Sequence, residues 1–95
     1  MVYVDKVHYI KDLCGNELYI SEVRWTNSLY ENARMSGSKA DIIRFINLYP
    51  GCVRTKYVRD GRWVEGEEIH VVDGSYLRTD GNNIKADNLE NLPRY

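Results

Sequence analysis

A chain of 95 residues with a formal charge of −1, 43% apolar and 28% charged, describes one domain, residues 1–95, too small to enclose a deep substrate cavity beside its core. The near-neutral balance excludes a nucleic-acid binder driven by bulk positive charge, though not a local basic face. No segment approaches the roughly 20 apolar residues of a membrane span, and the opening MVYVDKVHYIKD lacks the basic stretch and long apolar run of a secretory signal, so a cytoplasmic location without membrane contact is expected.

Val2 to Lys11 is a β-branched and aromatic run, followed by Leu13-Cys14-Gly15-Asn16 and a second run from Glu17 to Trp25. Gly-Asn supplies the positive-φ conformations of a tight reversal, so the first 25 residues predict a hairpin. Val2, Val4, His8 and Ile10 share one strand parity, and Tyr3, Val7 and Tyr9 the other. Both faces are therefore partly apolar. Eight tyrosines, with Trp25, Trp63 and Phe45, fit half-buried pleated surfaces.

Thr26 to Gly37 has no period and is rich in Asn, Ser and Gly, which predicts a loop. Ser38 then opens a helix over about Lys39 to Leu48, with Asp41 completing a weak capping box. Ile42, Phe45 and Ile46 form the stripe that packs on a sheet, and Pro50-Gly51 ends the run. From Cys52 onward, short extended runs are punctuated by Asp60-Gly61, Asp73-Gly74 and Asp80-Gly81, with Gly66 marking a bulge. The expected fold is α+β: a small antiparallel sheet, made of the N-terminal hairpin and a C-terminal meander, with one short helix packed on it.

Near the end, Leu89 and Leu92 stand three apart, so a helical turn capped by Asp87 or Asn88 and stopped by Pro93 would set both on one side. The turn would fold back as a latch over a sheet edge. Tyr76-Leu77-Arg78, a polar Gly/Asn turn, and then Asp87-Asn88-Leu89-Glu90-Asn91-Leu92-Pro93 resemble the C-terminal signature of a family of small bacterial and phage-borne domains of unknown function. The resemblance is close over about the last 20 residues and loose over the remainder. It implies a similar layout and assigns no residue a role. Thr26 to Gly37 and Arg54 to Glu68 are longer here than in the family's shorter members. The phage and mobile-element setting implies a small inhibitor of a host defence complex, such as an anti-CRISPR protein.

A metal site would have to use His8, Cys14, Cys52 and His70, which lack the close pairing of structural zinc ligands, so no metal or other cofactor is expected. The two cysteines are expected to be reduced, as a core thiol is, and the histidines half-buried. Neither Cys14 nor Cys52 begins the helix, so nothing local activates a thiol. Glu65, Glu67 and Glu68 lie in a solvated turn without the asymmetric shielding of an acid/base pair, and no glycine opens a helix as a phosphate loop does. The expectation is a chain that is not an enzyme.

Charge segregation is the remaining signal. Arg54, Lys56, Arg59 and Arg62 face only Asp60 between Cys52 and Arg62, whereas Trp63 to Asp73 carries Glu65, Glu67, Glu68 and Asp73 and no cation. Pairing across the hairpin would explain both. As a binding surface, Arg54, Lys56, Tyr57, Arg59, Arg62 and Trp63 would form a cationic and aromatic patch, with the Asn27 to Ser36 loop as a second contact. The expected function is an interaction module for a protein partner; the alternative is a nucleic-acid-binding module using the same hairpin, 54–63.

Overall fold

Residues 1–95, described by a computed structural model, form seven strands and one helix. They run β1 (Val2–Lys11), β2 (Glu17–Thr26), β3 (Met35–Ser38), α1 (Lys39–Leu48), β4 (Val53–Arg59), β5 (Arg62–Glu68), β6 (His70–Val72) and β7 (Tyr76–Arg78). The main sheet has the order β3-β2-β1-β4-β5, and β6 pairs only with β7 in a separate ribbon. The mixture of sheet and single helix is the expected α+β class, but the sheet is mixed rather than antiparallel. β1 and β4 run parallel, with Val2 beside Val53 and Val4 beside Thr55. Parallel neighbours need a crossover, and α1 lies in it, on the path from edge strand β3 back to the side of β1. The expected C-terminal meander is also divided: β4 and β5 extend the main sheet, and β6 and β7 leave it.

The reversals follow local chemistry. In the β1–β2 turn the Asp12 carboxylate accepts the N–H groups of Cys14 and Asn16, each at 2.9 Å, while Gly15 takes φ +85°. Asp60 and Gly61 both have positive φ, +53° and +76°, as a two-residue type I′ hairpin requires. Ser38 caps α1 by accepting the Asp41 N–H at 3.1 Å. Asp41 does not reach back to complete a box; its carboxylate takes Arg44 one turn on, at 3.1 Å.

Ile42 and Ile46 of α1 are buried against Val2, Val4, Val7, Ile20, Val23 and Val53 of the sheet, and Phe45 packs at the margin. Strict alternation would place Val4 and Val7 on opposite faces, yet both are fully buried in this core. A register shift between Val4 and Lys6 makes Asp5 the extra residue and resets the pleat. Residues 26–37 are only partly loop, because Met35–Ser38 forms β3 against β2. Gly37 sits where a β-carbon would lie 3.3 Å from Trp25 Nε1, so the small residue lets the indole lie over the strand.

The expected latch exists in extended form, and the predicted helical turn does not. Val7 donates its N–H to the Pro93 carbonyl at 3.0 Å and its carbonyl accepts the Tyr95 N–H at 3.1 Å, so the chain lies along β1 beyond Val4 and Thr55, the last pair that β1 makes with β4. Arg94 makes a two-pronged contact with Glu17 at 2.8 and 3.0 Å, and Tyr95 Oη donates to Glu22 at 2.8 Å. Leu89 and Leu92 enter the core with Ile69 and Leu77.

Asp87, expected as a helix cap, is instead a clasp between three elements. Its side chain is 1% exposed; it accepts the Ile20 N–H at 2.7 Å, the Leu77 N–H at 2.8 Å and Lys39 Nζ at 2.8 Å. Arg78 is buried and bonded to Asp80 at 2.8 and 2.6 Å and to the Ala86 carbonyl at 2.8 Å. The Tyr76-Leu77-Arg78 and Asp87-to-Pro93 segments thus meet each other, with Arg78 occupied in tying the ribbon to the segment that follows it and Asp87 in tying both to β2 and α1.

Candidate functional site

The β4–β5 hairpin carries all six residues of the expected patch, but its register divides them. Lys56 faces Glu65, Tyr57 faces Val64, Val58 faces Trp63 and Arg59 faces Arg62. Since paired residues share a face and neighbours alternate, Arg54, Lys56 and Trp63 lie on one side, and Tyr57, Arg59 and Arg62 on the other.

The first side is structural. Lys56 is 0% exposed; its ammonium donates to the carbonyls of Ser28, at 2.9 Å, and of Leu29 and Glu31. Three donors meet three carbonyls, which is the full capacity of the group. The ammonium lies 4.1 Å from the centre of the Trp63 ring. Burial holds its pKa below the ordinary lysine range, opposed by the nearby Asp5 and Glu31 charges. Asp5, also buried, accepts the Ala33 N–H at 3.0 Å through one oxygen, while the other has no partner. The expected inclusion of Lys56 in an exposed surface is therefore corrected: it fixes the 27–34 loop over the sheet. That loop shows Tyr30 to solvent, 79% exposed.

Arg54 is half-buried and similarly occupied. Its Nε and Nη2 donate to the Gly66 carbonyl at 3.2 and 3.1 Å, and Nε lies 3.7 Å from Glu65. Tyr3 donates to the other Glu65 oxygen at 3.0 Å. The expected bulge at Gly66 is present, as a register shift opposite Arg54 and Lys56. It cannot hold a side chain in place: a β-carbon there would lie 2.2 Å from Thr55 Oγ1, which accepts the Glu67 N–H at 3.1 Å.

The second side is uncommitted. Arg59 and Arg62 are exposed and directly opposed, and neither joins any of the six ion pairs in the molecule. The Arg59 guanidinium lies 5.4 Å from the Tyr57 ring centre. Val58, on the Trp63 side, is 56% exposed at the same end of the hairpin; it was not among the sequence candidates, and an alternating strand gives no signal that one apolar residue stays uncovered. An open groove of about 430 Å³ runs from Tyr57 and Arg59 past Glu65 and Glu67 to Glu90 and Leu92. Its wall is acidic behind the arginine-bearing tip.

No three His, Cys, Asp or Glu side chains converge as a metal-binding group. His8 is exposed beside Tyr95, and His70 is half-buried in β6. Neither cysteine is the core thiol expected: Cys14 is exposed and Cys52 half-buried, both free. Cys52 adjoins Val2 through its carbonyl and Cys14 lies past Lys11, so the length of β1, roughly 30 Å, separates them. No helix is long and apolar enough to cross a membrane. Comparison with protein families, with curated proteins and with solved structures found no match to this chain.

Proposed function

We propose that the chain is a non-catalytic module that binds a protein partner through the tip of the β4–β5 hairpin, with Arg59, Arg62, Tyr57 and Val58 as the contact residues. The observation that carries this reading is the contrast between the occupied cations toward the base of the hairpin and the free ones at its tip. Arg54 and Lys56 are occupied by Gly66, Glu65 and the loop carbonyls, whereas Arg59 and Arg62 have no ion-pair partner and flank a tight turn. Such a turn presents side chains with little ordering cost on binding, and arginine beside an aromatic ring is a common anchor composition at interfaces.

The family resemblance of the tail gives this module a setting, as a phage or mobile-element inhibitor of a host defence complex such as an anti-CRISPR protein. It acts in the cytoplasm, where two thiols a strand length apart stay reduced. The test is capture of partners from host lysate on immobilised protein, with and without nuclease. Protein capture that survives nuclease supports the reading; capture that vanishes with nuclease transfers the hairpin to the nucleic-acid alternative.

A further inference from the structure

Arg59 and Arg62 are the pair that closes the β4–β5 turn, which sets their α-carbons about 5.5 Å apart in a hydrogen-bonded antiparallel pair. Like charges directly opposite in a sheet destabilise it, and no carboxylate lies within ion-pair distance of either guanidinium to relieve the repulsion. Five carboxylates lie in the same hairpin or the groove behind it, Asp60 in the turn itself and Glu65, Glu67, Glu68 and Glu90, yet only Glu65 engages an arginine there, and that is Arg54.

Resting on the reading above, we propose that Arg59 and Arg62 form a two-guanidinium clamp for the carboxylates of an acidic protein segment, and that occupancy removes their mutual repulsion. Each guanidinium can grip a carboxylate with two parallel N–H groups. The Tyr57 ring beneath Arg59 limits where one of them can go. The acidic wall behind the tip favours a partner that brings its negative charge to one point: an extended phosphate backbone running along the hairpin would meet Glu65, Glu67 and Glu90, whereas a short acidic segment seated on the tip would not.

Replacing Arg62 by glutamate turns the like pair into an opposite one, so the same change should raise stability and abolish binding. In low-salt buffer the thermal midpoint of Arg62→Glu is expected above that of the parent chain, with the gap closing as added salt screens the parent's repulsion. An oligoglutamate peptide should raise the parent's midpoint and shift the Arg59 and Arg62 Nε–H resonances, doing neither in Arg62→Glu. An oligothymidylate of matched charge should have the smaller effect. A midpoint unchanged or lowered by Arg62→Glu, no response to oligoglutamate, or a larger response to oligothymidylate would each overturn the clamp. Failure of the clamp is separable from failure of the binding surface. If lysate capture is lost in Arg59→Glu/Arg62→Glu while oligoglutamate does nothing, the hairpin remains the contact and only its acidic chemistry is wrong; if capture survives that double change, the contact surface itself is wrong.

Discussion

Lys56 stands with its ammonium 4.1 Å from the centre of the Trp63 ring, and the same ammonium joins the hairpin to the 27–34 loop. The lysine satisfies three loop carbonyls and lies near the Asp5 carboxylate. Lys56→Met keeps most of the apolar stem and removes the charge, leaving those carbonyls and Asp5 without compensation. The expected cost is roughly 3–5 kcal/mol, the range for breaking a buried charge interaction on one side. Chemical denaturation gives the loss, and faster hydrogen exchange at Ala33 would localise it to the loop.

Asp87→Ala should be comparably damaging, about 3–5 kcal/mol, because it leaves Lys39 unpaired and two backbone N–H groups bare where the tail meets β2 and β7. Asp87→Asn keeps the shape and one acceptor oxygen and should cost less. If both variants bind partner as the parent does at equal folded fraction, the Asp87-to-Pro93 segment is a structural clasp; loss of capture by a fully folded Asp87→Asn would move the binding surface to the tail.

The tail should also be pH-limited at both ends. Burial and the Glu22 carboxylate push the Tyr95 phenol up from 10.0 to about 12. The folded state therefore holds this proton more tightly than the unfolded chain: the contribution is complete below pH 10 and disappears as pH rises through about 12. The Arg94 hydrogen bond holds Glu17 below its ordinary 4.5, so that contribution is present above 4.5 and is lost as the pH falls through the lowered value. Tyr95→Phe should remove its own share of the alkaline loss, leaving that of Tyr3 and Tyr9, whose phenols burial also raises, and should leave the acid limb intact, which denaturation midpoints across pH would show.

Gly66→Ala forces a β-carbon onto Thr55 Oγ1, and overpacking of this kind costs about 1–3 kcal/mol. Thr55→Ala in the same chain should recover part of that loss, since it removes the clashing oxygen at the expense of the Glu67 hydrogen bond. A double variant no more stable than Gly66→Ala would show that the bulge is held by something other than this contact.

What the sequence made legible was local. Asp60-Gly61 names its own turn, because both residues take positive φ, and Ser38 with the Ile42, Phe45 and Ile46 stripe defines α1. The parallel pairing of β1 with β4 was hidden because it joins strands about 50 residues apart, and no periodicity encodes that choice. The bulge at Asp5 defeated the parity of β1 in the same way. Within the candidate site, residue type alone could not separate Lys56 from Arg59: both are cations on a strand. Only the loop packed over one face consumes the first and leaves the second exposed.

The arginine-bearing tip is the proposed partner contact. The most direct measurement of that contact is lysate capture by Arg59→Glu/Arg62→Glu beside the parent chain, with folding checked by circular dichroism and thermal midpoint. The double variant is expected to be folded, with a midpoint close to the parent's, and to capture no nuclease-resistant partner. Undiminished capture by the folded double variant would contradict it and direct attention to the Tyr30 loop, which is the other exposed element the hairpin holds in place.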